Sequence, residues 1–291
     1  MALIEKYRPH GISVTDLASQ LWCEKQLEFS LEKGRIKTLE MQKGNDRHQD
    51  LLEEITELIK VQPKSIEDFI VLKLNNSIVG LKQALSEGRG REIPIFGMVN
   101  SLFVVGIIDE LRIDNKVLKL IDTKTRKSES MPSMQQLRTT KFQLMLYKHL
   151  FDSINRGQFK TKDFLNCYEL NKNSIITEEF KKQMEKLDLK IESIVSKSAD
   201  NLFSLIRKFP EIGMLEIVYE SQESGKMLGK ERFQFDHNEF KRSCDFVEEF
   251  WLGKRKAIPV GEKNRWKCNY CEFKSECPAI GTTTKKLTDL I

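Results

Sequence analysis

The stretch LFVVGIIDELRIDNKVLKLIDTKTR, residues 102–126, decides how this chain folds. It is dense in β-branched and large apolar residues, and Asp114-Asn115 interrupts it where a tight turn belongs. Two strands, 102–114 and 117–125, are expected, joined as a hairpin around Asn115. IPIFGMV, residues 93–99, precedes them across the turn signal Asn100-Ser101, giving an antiparallel meander of three strands. Asp109 and Asp122 each end an apolar strand segment, and the hairpin brings them close. Side chains alternate along a strand, so Asp122 and Lys124 project to one face.

Outward from this meander the period changes to helices. GISVTDLASQLWCEKQLEFSLEKG, residues 11–34, has Ser13 and Asp16 as a capping pair and Gly34 as a stop, with Cys23 in mid-helix. A second amphipathic helix is expected over 42–61, ended by Pro63, with His48 in about its first turn. The polar, glycine-containing segment 75–92 reads as a connection. After the meander come a helix over about 133–153, a strand at 163–170 and a long amphipathic helix over about 177–208. A hairpin at about 214–236, a helix at about 238–253 and a frayed tail at 281–291 complete the chain. Helices from both ends must pack around the sheet, so the class is mixed α/β in one domain over residues 1–280.

The 291 residues carry 48 basic and 43 acidic side chains, a net charge of +5. That excess is too mild to argue for nucleic acid by itself. No apolar run approaches the ~18 residues of a membrane helix. The N-terminus MALIEKYRPH has neither an apolar signal region nor the character of a transit peptide. An intracellular, reducing compartment is the expectation, nucleus or cytoplasm ahead of mitochondrion. There, clustered cysteines hold metal more often than they form disulfides.

Two carboxylates and an ammonium on one strand face suit hard-cation chemistry, with Mg²⁺ or Mn²⁺ as the ion. Such an ion polarises a phosphodiester and helps generate hydroxide. Taken alone, Asp109, Asp122 and Lys124 also fit strand-end aspartates in salt bridges with Lys124 and Arg126. Gln143 and Tyr147, in FQLMLYKHLF, are four residues apart and share a helical face. His48 is one of only four histidines, so its place on the second helix is worth following. The cysteines near the C-terminus, in WKCNYCEFKSECP at 266–278, give three thiolates at Cys268, Cys271 and Cys277. Zinc and iron–sulfur ligation both fit that spacing.

The ordered set is His48, G-I-I-D at 106–109, D-T-K at 122–124 and Q-x3-Y at 143–147. This resembles the RecB-like branch of the PD-(D/E)xK nucleases. With Cys23 before it and Cys268, Cys271 and Cys277 after it, the pattern is similar to the iron–sulfur members, among them Cas4 and exonuclease V. SVTDLASQLWCE, FGMVNSLFVVGIIDELRI, DTKTR and FQLMLYKHLFD resemble the exonuclease V family most. The resemblance implies a restriction-endonuclease-like core and a metal-dependent exonuclease on single-stranded DNA, working in DNA repair. It implies Asp109 and Asp122 as metal ligands with the Thr123 carbonyl, His48 as a ligand or helper, and Lys124 as the catalytic lysine. Gln143 and Tyr147 would support the lysine and the phosphate. It also favours a [4Fe-4S] cluster on Cys23, Cys268, Cys271 and Cys277, since Cys167 and Cys244 read as buried apolar residues. Asp122 departs from the Glu of many relatives, and its shorter arm bears on metal geometry. Candidate DNA contacts are Arg126, Lys127 and Arg138. A single-strand DNA-binding protein is implied as partner, and a monomer is expected. The alternatives are a Cas4-like nuclease of CRISPR adaptation, an inactive DNA-binding protein stapled by metal, and a zinc-stabilised adaptor.

Overall fold

The computed structural model describes residues 2–57 and 59–281. In chain order its elements begin with α1 (Leu3–Tyr7), β1 (Ile12–Ser13), α2 (Val14–Gln20), α3 (Glu24–Lys33), α4 (Leu39–Glu53) and α5 (Ile66–Glu87). The meander follows as β2 (Arg89–Val99), β3 (Leu102–Asp114) and β4 (Val117–Arg126). Then come α6 (Met134–Asn155), α7 (Thr161–Cys167), α8 (Glu178–Lys186) and α9 (Val195–Ile206). The chain continues with β5 (Ile212–Ser221), β6 (Met227–Phe233), α10 (His237–Trp251), two 3₁₀ turns and α11 (Pro278–Gly281).

The expected meander is present, and its turn chemistry explains it. Asn115 and Lys116 both have positive φ, 49° and 67°. Two left-handed residues match the twist of a tight hairpin, and Asp114 pairs with Val117 across them. β2 runs antiparallel along β3 from Val99↔Leu102 to Arg89↔Arg112. β4 pairs antiparallel with β3, parallel with β5, and β5 antiparallel with β6. The sheet is therefore mixed, with helices packed on it.

One irregularity shapes everything functional. Pairing of β3 with β4 runs only from Asp114↔Val117 to Glu110↔Ile121. Farther along β3, Val104 and Val105 pair with the short strand β1 instead. Gly106 to Asp109 therefore lie in a fork between β4 and β1. β4 itself continues to Arg126 on its β5 side, with Asp122 opposite Ile217 and Lys124 opposite Tyr219.

Leu111, Leu118, Leu120, Val104 and Ile108 are fully buried beneath this sheet, as are Leu146 and Leu150 of α6. α5 and α6 both pack along β2, and α9 packs against α5. The α5 crossing needs two glycines to touch. A Cβ on Gly90 would lie 2.0 Å from the Gly80 carbonyl oxygen. Gly88, at φ 77°, ends α5 in the left-handed conformation that glycine accepts most readily.

Several expectations are corrected. Segment 75–92 is not a connection: most of it is α5, followed by the start of β2. Its polar residues misled, because Ser77 is buried by bonding the carbonyls of Lys73 and Pro94. Meanwhile Ile70, Val71, Leu74 and Leu81 supply the apolar stripe. The expected strand at 163–170 is α7, whose Phe164 and Leu165 are buried and whose Asp163 bonds the Lys160 amide. The single helix at 177–208 is α8 and α9, separated where Asp188 takes φ 53°. The helix at 42–61 is α4, which starts earlier and stops at Glu53, so His48 lies past its first turn. The helix at 11–34 breaks at Cys23, which caps α3 in an extended conformation, φ −165°. The tail beyond residue 281 lies outside the described residues. No helix among the described residues is long and apolar enough to cross a membrane.

The glycine contact gives a stability test. Gly90→Ala should destabilise by ~3 kcal/mol or more, at the upper end of overpacking. Gly261→Ala, where an added Cβ meets nothing within 4 Å, should change little. Urea denaturation of the two variants checks both.

Candidate active site

The fork gathers side chains from five elements. Asp122 of β4 is 1% exposed, and its Oδ1 accepts from Lys124 Nζ at 2.9 Å. Asp109 comes from the unpaired edge of β3. His48 reaches in from α4, its Nδ1 3.7 Å from Asp109 Oδ2 and 3.5 Å from Glu92 Oε1. Ligand atoms of His48, Glu92 and Asp109 all lie within 4.8 Å of one another. From α6, Gln143 Nε2 donates to Tyr147 Oη at 3.4 Å, and both residues line the same cleft as Lys124.

The electrostatics are those of a site built for a cation. Asp109 Oδ2 and Asp122 Oδ2 are both buried without a hydrogen-bond partner. Burial, and then the charge of Asp122, push the Asp109 carboxyl well above its ordinary pKa. For Lys124 burial works against the ammonium, yet Asp122 and Asp109 outweigh it and its pKa is raised. Lys124 donates to Asp122 as an ammonium held by the two carboxylates. The neighbouring Glu92, through a hydrogen bond, raises the pKa of His48. Burial and Asp109 keep the Tyr147 phenol protonated. An oxygen-rich donor set with two orphaned carboxylate oxygens fits a hard divalent ion. The ligand atoms of His48, Glu92 and Asp109 are grouped closely enough to hold one, and the charge of Asp122 acts on Asp109 beside them. The Thr123 carbonyl lies between Asp122 and Lys124 on β4.

Glu92 has no motif to announce it. It sits in β2 between the pairs Arg91↔Glu110 and Ile93↔Ile108, with φ 49°. That left-handed kink is what places its carboxylate near Asp109. The only hint in the sequence is an acidic residue opening the apolar run IPIFGMV.

Gly106 has a steric role in the cleft. A Cβ there would lie 2.6 Å from Tyr147 Cε1 and 2.8 Å from Val14 Cγ2. The glycine of G-I-I-D thus lets α6 approach the fork closely enough for Tyr147 to reach it.

The candidate DNA contacts are not gathered in this cleft. Arg126 ends β4 with its guanidinium 6.0 Å from the Tyr219 ring. Lys127 is exposed and 3.9 Å from Glu40. Arg138 lies near the start of α6, in a pocket with Trp22, Cys23 and Lys267.

Cys23, Cys268, Cys271 and Cys277 line one small cavity, walled by Trp22, Phe29, Val260 and Ile280. All four are free thiols. The break between α2 and α3 is what turns Cys23 toward it. Direct contacts join the same two segments of the chain. Buried Glu24 accepts from both Arg255 terminal nitrogens, at 2.5 and 2.6 Å, and from the Ile258 amide at 2.8 Å. The Phe29 and Phe273 rings pack nearby, tilted by 30° with centroids 5.4 Å apart.

A fork that can hold a divalent cation beside a fixed ammonium is equipped for phosphodiester cleavage, and comparison with known proteins points to the same class, the deoxyribonucleases. The chain matches the family model described as "Exonuclease V - a 5' deoxyribonuclease" over residues 2–120, 114–208 and 205–278. The chain belongs to the exonuclease V family, and is a DNA exonuclease. It is 29% identical to exonuclease V of Danio rerio over 281 residues, 94% of this chain and 71% of that protein. It is 27% identical over 73 residues, 25% of this chain and 11% of the other, to a Candida dubliniensis protein named "Exonuclease V, mitochondrial". Among solved structures it is similar to that of SSO0001, with TM-score 0.46 and 14% identity, covering 92% of this chain and 86% of the other.

Gly106→Ala should lower nuclease activity by more than tenfold, because a displacement of about 1 Å at a reacting centre costs that much or more. A nuclease assay beside an unfolding curve separates this from loss of fold.

Proposed function

We propose that residues 1–280 form one metal-dependent exonuclease domain of the PD-(D/E)xK type, acting on single-stranded DNA. The observation that carries this is the pair of buried, unpartnered carboxylate oxygens on Asp109 and Asp122, with Lys124 bonded beside them. A bound Mg²⁺ or Mn²⁺ supplies Lewis-acid polarisation of the phosphodiester and acidifies water. Asp109 and Asp122 hold it, with His48, Glu92 and the Thr123 carbonyl as further donors.

Lys124 orients the attacking water and balances charge as the phosphorus becomes pentavalent. Its two carboxylate neighbours keep it charged for that role. Gln143 and Tyr147 hold Lys124 and the phosphate from the α6 side. Single-strand preference is supported by α4, which is fastened across the β4–β5 edge. Gln222 Nε2 donates to the Glu40 carbonyl at 3.0 Å and to Thr125 Oγ1 at 2.9 Å, and Arg47 pairs with Glu220 at 2.8 Å. A cleft roofed in this way suits one strand better than a duplex. Arg126 and Lys127 then meet the strand beyond β4, and Arg138 meets it beside the cysteines. A role in DNA repair, with a single-strand DNA-binding protein as partner, is part of the same proposal and rests on the family.

The four cysteines are proposed to hold an iron–sulfur cluster that ties Cys23 to the C-terminal segment. Four thiols in a largely apolar cavity fit this group, and they fit zinc as the second reading. In either case the role is structural, because the cavity is separate from the fork.

Three experiments test these assignments. With end-labelled single-stranded DNA in Mg²⁺, Asp122→Ala should lose about 10²–10³-fold in rate while still binding DNA. Equal rates in both proteins would remove the fork from the mechanism. Glu92→Gln should raise the Mg²⁺ concentration for half-maximal activity by about tenfold, as removal of a supporting ligand does. Purified protein should absorb near ~400 nm with iron bound, the charge-transfer mark of thiolate-ligated iron. Cys23→Ser should lose that iron but stay partly folded through Glu24 and Arg255. Zinc in place of iron would establish the second reading.

A further inference from the structure

We propose that Phe69 and Lys73, one turn apart on α5, form a nucleotide-holding subsite at the edge of the cleft. In it Lys73 takes a backbone phosphate of the DNA strand and Phe69 carries the face of a base; this rests on the single-strand reading above.

Lys73 lines the cleft together with His48, Glu92, Asp109 and Lys124. The other cations there are committed. Lys124 is bonded to Asp122, and His48 sits between Glu92 and Asp109. No carboxylate pairs with Lys73 among the described residues, and burial alone lowers the pKa of its ammonium. A half-buried ammonium without a counter-charge is poorly satisfied, and an entering phosphate would supply both charge and hydrogen-bond acceptors. The acids of the fork, by contrast, need a cation before they can accept a phosphate nearby.

Phe69 adds the second half. Lys73 Nζ lies 4.5 Å from its ring centroid. Phe69 is 41% exposed, although neighbouring Ile70, Val71 and Leu74 are at most 1% exposed. An exposed ring beside a cation is the pairing that single-strand binding uses. The base stacks and the phosphate is neutralised, without regard to sequence.

The two residues make separable predictions. Binding of a fluorescent oligothymidylate is measured across a salt series in the full chain carrying Asp122→Ala, so that DNA is held and not cut. For single strands each neutralised phosphate adds about 0.7 to the slope of log affinity against log salt. Lys73→Gln should reduce that slope by about 0.7 and weaken binding several-fold, while Lys73→Arg keeps the slope. Lys73→Met, which preserves the packed stem, serves as a second variant, and unfolding midpoints confirm that the variants fold. Phe69→Leu should weaken binding about fivefold or more with the slope unchanged. In the cutting protein, Lys73→Gln should raise KM more than it lowers kcat. An unchanged slope in both Lys73→Gln and Lys73→Met, with binding retained, overturns the subsite alone. Absence of single-strand binding in the Asp122→Ala protein overturns the single-strand reading and the subsite with it.

Discussion

The constraint on which the site depends is the place where β3 and β4 stop pairing. The last rung is Glu110↔Ile121. Glu110 is buried on the face opposite Asp109 and is held by Arg91 at 2.7 Å and by Arg112. A charge buried and paired in this way resists sliding of the register, since a slip would leave it unpaired in the interior. One residue farther the strands part. Asp109 and Asp122 then face each other across a gap instead of a hydrogen-bonded ladder, and the Oδ2 atom of each carboxylate is left without a hydrogen-bond partner. The unfavourable electrostatics of the fork follow from that geometry.

The rest of the chain closes around the fork. α6 approaches because Gly106 carries no side chain, and α4, fastened to β5 through Arg47 and Glu220, brings His48 over the gap. α5 crosses β2 at Gly80 and Gly90 and presents Lys73 to the same cleft. The cysteine cavity stands apart. It joins the first helices to the last turns, where Glu24 and Arg255 already make a buried ion pair. The four cysteines and that ion pair thus bring together the same two segments of the chain.

Much of this was legible in the sequence for a simple reason: the meander is local. β-branched runs and asparagine turns over residues 93–126 specify strands, register and the shared face of Asp122 and Lys124. The order of short motifs was enough to indicate the exonuclease V family, which the family match bears out. Local patterns misled where tertiary contacts override them. Ser77 and its asparagine neighbours looked like loop, yet Ser77 is buried through two carbonyls. DFLNCYEL looked like a strand, yet it packs as a short helix through Phe164 and Leu165.

By itself the sequence determined the mixed α/β class, the family, and the set of acids, lysine and cysteines that have to be accounted for. Tertiary structure alone decided that Glu92 joins His48 and Asp109, that the chain breaks between two helices at Cys23, and that Lys73 stands in the cleft without a counter-charge. The physical reason is the same in each case. A left-handed residue in β2, a break between two helices and a half-buried ammonium leave no periodic trace in the sequence. They arise only when distant segments compete for the same space around the parted strands.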